Sequence, residues 1–255
     1  MDVRNIKLIL CYDGTDFRGW QRQPGQRTVQ EVLEAAIEKL TGAYSKTIAC
    51  SRTDAGVHAL GQVVHFYTAT RHPPNVIVRA LNALMPRDVR VLDAVDMPQS
   101  FHSTLDPISK RYRYQIDNQT FADPFRLRTC WHVFHQLDVG AMKRAGGALV
   151  GRHDFRSFET EWPNRTSSVR TIVDLDVTRD GTLVSIEVEA DGFLYNMVRA
   201  IAGTLMLVGS GKRPEHWVRD VLKAESRVEA GPTAPPQGLF LLVVRYPDVK
   251  SSPID

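Results

Sequence analysis

The chain has 255 residues, of which 43% are hydrophobic and 24% charged, and a formal net charge of +3; this is the profile of a globular protein with room for one broad core or two smaller ones. No apolar run approaches the roughly 20 residues that cross a bilayer, and the opening Met1-Asp2-Val3-Arg4-Asn5 lacks the basic-then-apolar layout of a secretory signal, so a cytoplasmic location is expected. Cys11, Cys50 and Cys130 are odd in number and widely spaced, which argues against a disulfide framework or a zinc motif, and no metal or cofactor is expected.

In chain order, Ile6-Lys7-Leu8-Ile9-Leu10 alternates as a strand and runs into a Gly-rich loop from Tyr12 to Trp20. Thr28 is placed as an N-cap with Glu31 three residues on, and Val29, Val32, Leu33, Ala36, Ile37 and Leu40 recur at helical spacing up to Gly42. A short β-prone run over 47–50 leads to the turn Ser51-Arg52-Thr53-Asp54-Ala55-Gly56-Val57-His58, and a second strand follows over 62–67. A helix over 76–84 stops at Pro86, and a strand spans 89–95. The resulting order, βαββαβ, is that of a ferredoxin-like or RRM-like sandwich.

The second half offers strands over 111–116 and 129–134, a helix over 139–150, and a hairpin over 172–188 turning at Asp180-Gly181. An apolar helix over 194–208, a charged helix over 217–223 and a last strand over 239–244 complete it. His132 and His135 fall on opposite faces of their β-prone run, which argues against a shared metal. The expected fold is therefore α+β: two ferredoxin-like/RRM-like subdomains over 1–108 and 109–248, a tail over 249–255, antiparallel sheets side by side, and a central cleft between them as the expected ligand site.

The segment around Asp54 sets one carboxylate and one guanidinium among small residues on a loop held between strands, the framing a catalytic side chain needs. Arginines outnumber lysines 24 to 8 and cluster in Lys110-Arg111-Tyr112-Arg113, in Arg126-Leu127-Arg128 and in the set Arg152, Arg156, Arg165 and Arg170. Arginine is the stronger phosphate fork and base stacker, so a nucleic-acid partner is favoured.

The Asp54 loop resembles the signature loop of the tRNA pseudouridine synthase A family. The resemblance extends to Tyr12-Asp13-Gly14-Thr15 with Gly19-Trp20-Gln21, Thr28-Val29-Gln30, Gly61-Gln62-Val63-Val64-His65-Phe66, Lys110-Arg111-Tyr112-Arg113-Tyr114, Asp154-Phe155-Arg156-Ser157-Phe158, Met197-Val198-Arg199 with Gly203, and Gly238-Leu239-Phe240-Leu241. It implies isomerisation of uridine to pseudouridine at positions 38, 39 and 40 of the tRNA anticodon stem-loop by a homodimer, with no cofactor. By this resemblance Asp54 is the nucleophile, attacking ribose C1′ or uracil C6, Arg199 is its guanidinium partner, and Tyr112 stacks on the target base and supports proton removal at C5.

Arg52 is expected to hold the flipped-out nucleotide, and Phe17, Trp20 and Arg22 to meet RNA. Where the family often reads Phe-His-Ala-Arg, this chain has Phe101-His102-Ser103-Thr104, so the missing arginine's role is expected to pass to Lys110 or Arg111. The competing readings are a non-catalytic RNA-binding protein on the same scaffold and a glycosidase-like hydrolase, which would need a second carboxylate that no motif supplies here.

Overall fold

The computed structural model describes residues 3–160 and 167–247; Arg165 and the expected tail over 249–255 lie outside the described residues. The structure divides into two units: one takes the chain to Lys110 and resumes at Leu242, and the other is Arg111–Leu241. The subdomain expected over 109–248 thus surrenders its last residues, from Leu242 on, to the first unit.

In the first unit, β1 (Arg4–Tyr12), α1 (Val29–Thr41), β2 (Ile48–Ala49), β3 (His58–Thr68), α2 (Pro74–Leu84) and β4 (Val89–Met97) follow one another in the expected βαββαβ order. The strands lie in the antiparallel order β4-β1-β3-β2. Register follows the alternation of β1: Ile6, Leu8 and Leu10 are fully buried and oppose Phe66, Val64 and Gln62. Leu33 and Ile37 of α1 and Ile77 and Leu81 of α2 are fully buried with them, each contributing about 1.5–3 kcal/mol of transfer free energy. Thr28 accepts the Glu31 amide at 3.4 Å, and Gly42 ends α1 at φ 75°, so the cap and the stop act as their residue types require.

The second unit carries β5 (Ser109–Asp117), which begins at the boundary, then β6 (Trp131–His132), α3 (Val139–Gly146), β7 (Gly151–Asp154), β8 (Val169–Asp180), β9 (Leu183–Ala190), α4 (Met197–Gly209) and α5 (Trp217–Ala224). β10 (Leu239–Arg245) starts in this unit and ends in the other. Its sheet runs β5-β9-β8-β7, with β6 pairing parallel to β5. The fold is α+β with mostly antiparallel pairing, and no described helix is long and apolar enough to cross a membrane.

Three expectations need correction. The strand over 129–134 shrinks to Trp131–His132, because a turn joins Cys130 N to Arg126 O at 2.8 Å and Asn118 Nδ2 takes the Val133 carbonyl at 2.8 Å. The helix over 139–150 ends at Gly146 and tightens into a 3-10 turn over Gly147–Leu149, since paired glycines are poor helix residues. The apolar helix begins at Met197 rather than 194, at a left-handed Asn196 with φ 62°.

Candidate active site

Asp54 is half-buried on a loop whose backbone is tied on several sides. Trp20 N donates to Thr53 O at 2.9 Å, Val57 N to Asp54 O at 3.1 Å, and Gly56 N to Phe17 O at 3.4 Å. Two backbones approach the loop so closely that only glycine fits: a Cβ on Gly14 would stand 2.0 Å from Val57 O, and one on Gly19, at φ 86°, would stand 2.6 Å from Thr53 O. Gly14 N also donates to His58 Nδ1 at 3.1 Å.

Beneath the loop lies a buried polar floor. Tyr12 Oη is 2.7 Å from Thr53 Oγ1; Gln62 Nε2 donates to Ser51 O at 2.7 Å and to Tyr12 Oη at 3.4 Å, and Gln62 Oε1 accepts Ser51 N at 3.3 Å. Burial pushes the Tyr12 phenol up to about 12, against the pull of its bonds to Thr53 and Gln62, so it stays protonated and able to donate. Ser51 and Thr53, the residues on either side of Arg52, are therefore held from below. Sequence reasoning passed over Tyr12, Thr53 and Gln62 as site-shaping residues. The available signal was Gln62, a polar residue within the apolar stretch 59–64 of β3 that is fully buried, and such a group must find partners.

Arg52 is exposed at the loop tip. Phe17 and Trp20, expected at an RNA-facing surface, are 2% and 1% exposed, so this expectation is corrected: their rings are floor beneath the loop, with Trp20 6.4 Å from the Tyr12 ring and the Arg27 guanidinium 4.0 Å over Phe17. Burying two large rings outweighs leaving them for a ligand. Arg22 is half exposed, with Nη1 3.6 Å from the buried Glu34 carboxylate.

In the second unit, Tyr112 lies on β5, buried, its ring 4.9 Å from Phe193 in an edge-on contact. Tyr114, two residues on, is fully buried and donates to Pro235 O at 2.8 Å; burial raises its phenol, opposed by the nearby Arg199 charge. Arg199 sits in the first turn of α4, where Nε donates to Ala234 O at 2.7 Å and Nη1 to Asn196 Oδ1 at 2.8 Å, while Ala234 N returns a bond to Arg199 O at 3.1 Å. Gly203 lets the 231–234 segment lie against α4: a Cβ there would stand 1.8 Å from Pro232 O.

Neither residue expected to replace the missing arginine is placed for a phosphate. Arg111 is saturated by Asp174 at 2.7 Å, Glu189 at 2.8 Å and Glu187 at 3.2 Å, and lines a depression of about 440 Å³ walled by such paired charges. Lys110 Nζ donates to Cys50 O at 3.0 Å. Among the described residues no group of His, Cys, Asp and Glu side chains could hold a metal ion.

A family model described as tRNA pseudouridine synthase matches residues 9–106 and 145–247. The chain belongs to the tRNA pseudouridine synthase family. Asp54 and Arg199 fall inside the matched segments of this synthase-family chain, and Tyr112 falls between them. Proteins named tRNA pseudouridine synthase A from Thermoanaerobacter sp. (strain X514) and Acetivibrio thermocellus are 46% and 43% identical to it, each over 244 residues that cover 96% of this chain and 100% of theirs. One from Myxococcus xanthus is 46% identical over 95% of this chain and 92% of its own length. A solved archaeal box H/ACA sRNP Nop10-Cbf5 complex matches at a TM-score of 0.32 and 14% identity over 88% of this chain and 59% of that one, too distant to carry any argument.

Proposed function

We propose that this chain isomerises uridine to pseudouridine at positions 38, 39 and 40 of the tRNA anticodon stem-loop, with Asp54 as the nucleophile. The observation that carries the reading is the Asp54 loop itself: a half-buried carboxylate on a tip braced by two glycine contacts and a buried tyrosine–glutamine floor, inside a segment matched by the family model. A loop held this firmly keeps its carboxylate in one place while the base is exchanged around it.

In the proposed sequence the target nucleotide leaves the helix stack, steadied by exposed Arg52 and, at the margin, Arg22. The Asp54 carboxylate either attacks ribose C1′, breaking the C1′–N1 bond, and is displaced from C1′ when the turned base bonds there through C5, or adds to uracil C6 and is eliminated after the C1′–N1 bond has broken and C5 has bonded to C1′. The C5 hydrogen then leaves as a proton with help from Tyr112, and N1 gains one. Arg199 keeps the Asp54 carboxylate ionised; its Nε and Nη1 bonds to Ala234 and Asn196 hold the guanidinium plane for that role. Action as a homodimer and a cytoplasmic location belong to the same proposal.

Tritium release from tRNA carrying 5-tritiated uridine tests it. Wild type releases tritium, and Asp54→Asn binds tRNA but releases none. Binding without release by wild type would instead favour a non-catalytic RNA-binding protein, and release by Asp54→Asn would remove Asp54 from the nucleophile's role. Substrates with cytidine at 38, 39 or 40 check the positions.

A further inference from the structure

The strand that feeds the Asp54 loop is gripped along three consecutive carbonyls by side chains from one neighbouring segment. Ser103 Oγ donates to Ile48 O at 2.7 Å, Thr104 Oγ1 to Ala49 O at 2.8 Å, and Lys110 Nζ to Cys50 O at 3.0 Å. The strand needs such help. β2 has two residues and meets β3 through only the pairs Ile48↔His65 and Ala49↔Val64, a ladder too short to fix the direction in which the chain leaves it.

Ser103 is itself anchored. It is fully buried, with Oγ 2.9 Å and the amide nitrogen 3.2 Å from Nδ1 of His65, which is also fully buried on β3. Thr104 is exposed, so its hydroxyl bond to Ala49 is not forced by packing. The two hydroxyls clamp backbone carbonyls six and five residues before Asp54.

We propose that Ser103 and Thr104 are positioning residues for Asp54: by clamping the Ile48 and Ala49 carbonyls they set the exit of β2 and so the place of the carboxylate. The inference rests on Asp54 being the catalytic group. A clamp of this kind acts on the bound complex and not on RNA capture, so its loss appears in kcat rather than KM.

The test uses the full chain as wild type, Ser103→Ala/Thr104→Val, Thr104→Val alone and Thr104→Ser, with kcat and KM for tRNA and amide hydrogen exchange over 51–57. Because Thr104 is exposed and valine is its isostere, Thr104→Val folds normally. The double variant is expected to lose on the order of 10- to 100-fold in kcat, the penalty of misplacing a reacting group by about 1 Å, with KM within about twofold. Exchange at the Gly56 and Val57 amides rises with it, Thr104→Val shows a smaller change in the same direction, and Thr104→Ser, which keeps the hydroxyl, behaves as wild type.

Wild-type kcat and wild-type exchange in the double variant would overturn the proposal, as would damage from Thr104→Ser equal to that from Thr104→Val. If wild type forms no pseudouridine, the failure belongs to the proposed function. The exchange measurement still decides whether the two hydroxyls set the loop.

Discussion

The two regions that carry the proposed chemistry are built by opposite means. Asp54 stands on a loop, where no ladder or helix fixes the backbone, and its place comes from neighbouring main chains that approach closer than a Cβ allows at Gly14 and Gly19. Tyr112 and Arg199 stand on β5 and in the first turn of α4, where the element already sets the backbone. There the contacts act on the side chain instead, through Phe193 for the ring and through Ala234 and Asn196 for the guanidinium. A reactive group on a loop depends on its surroundings for backbone geometry, whereas one on a regular element depends on them for its rotamer.

The largest expected effect comes from glycine substitutions that break one region at a time. Gly14→Ala and Gly203→Ala each drive a methyl into a carbonyl, at 2.0 Å and 1.8 Å, and each should cost about 3 kcal/mol or more in chemical denaturation. Gly14→Ala should abolish turnover in the remaining folded protein, since the carbonyl it displaces belongs to the Asp54 loop. Gly203→Ala should leave some, because α4 persists and only the Ala234 support of Arg199 shifts. Equal residual turnover in the two variants would break the contrast.

Acid separates the regions next. Burial, with a smaller contribution from His102 and against the pull of Asp106, lowers His65 in the first unit from 6.5 to about 4. As pH falls from about 6.5 the unfolded chain takes up the proton first, so the stability tied to neutral His65 is lost through that window and levels off below about 4. The loss is up to about 3 kcal/mol, at roughly 1.4 kcal/mol per pH unit. Thermal melts of wild type and His65→Asn from pH 7 to 4 should converge as the pH drops; parallel curves would show that His65 does not titrate this way.

Two buried tyrosine hydroxyls give a matched pair of smaller size. Tyr12→Phe unpins Thr53, and Tyr114→Phe leaves the Pro235 carbonyl without its donor, each at about 1–3 kcal/mol. Tyr12→Phe should also lower kcat by about tenfold, as a small shift of the loop would, with Tyr114→Phe closer to wild type. Thr28→Ala removes only the α1 cap and should cost about 1 kcal/mol without changing kcat per folded molecule, which makes it the control for stability alone.

Much of this molecule was legible in the chain. The βαββαβ order of the first unit, the Thr28 cap and the Gly42 stop follow from local patterns, because capping, alternation and glycine breaks act over a few residues. The Asp54 loop stood out for the same reason. Phe17 and Trp20 were misplaced because an aromatic on a loop reads the same whether it faces solvent or lies underneath. Arg111 was misjudged because its three carboxylate partners lie more than 60 residues away on β8 and β9.

Residue type alone singled out the carboxylate proposed as the nucleophile and where the helices of the first unit begin and end, since both depend on chemistry held within one short stretch. The tertiary structure alone decided what holds that carboxylate in place. Tyr12, Gln62, Ser103 and Lys110 reach the loop and its feeding strand from distant parts of the chain, and a hydrogen bond between residues so far apart in sequence exists only once the sheet has brought their backbones together.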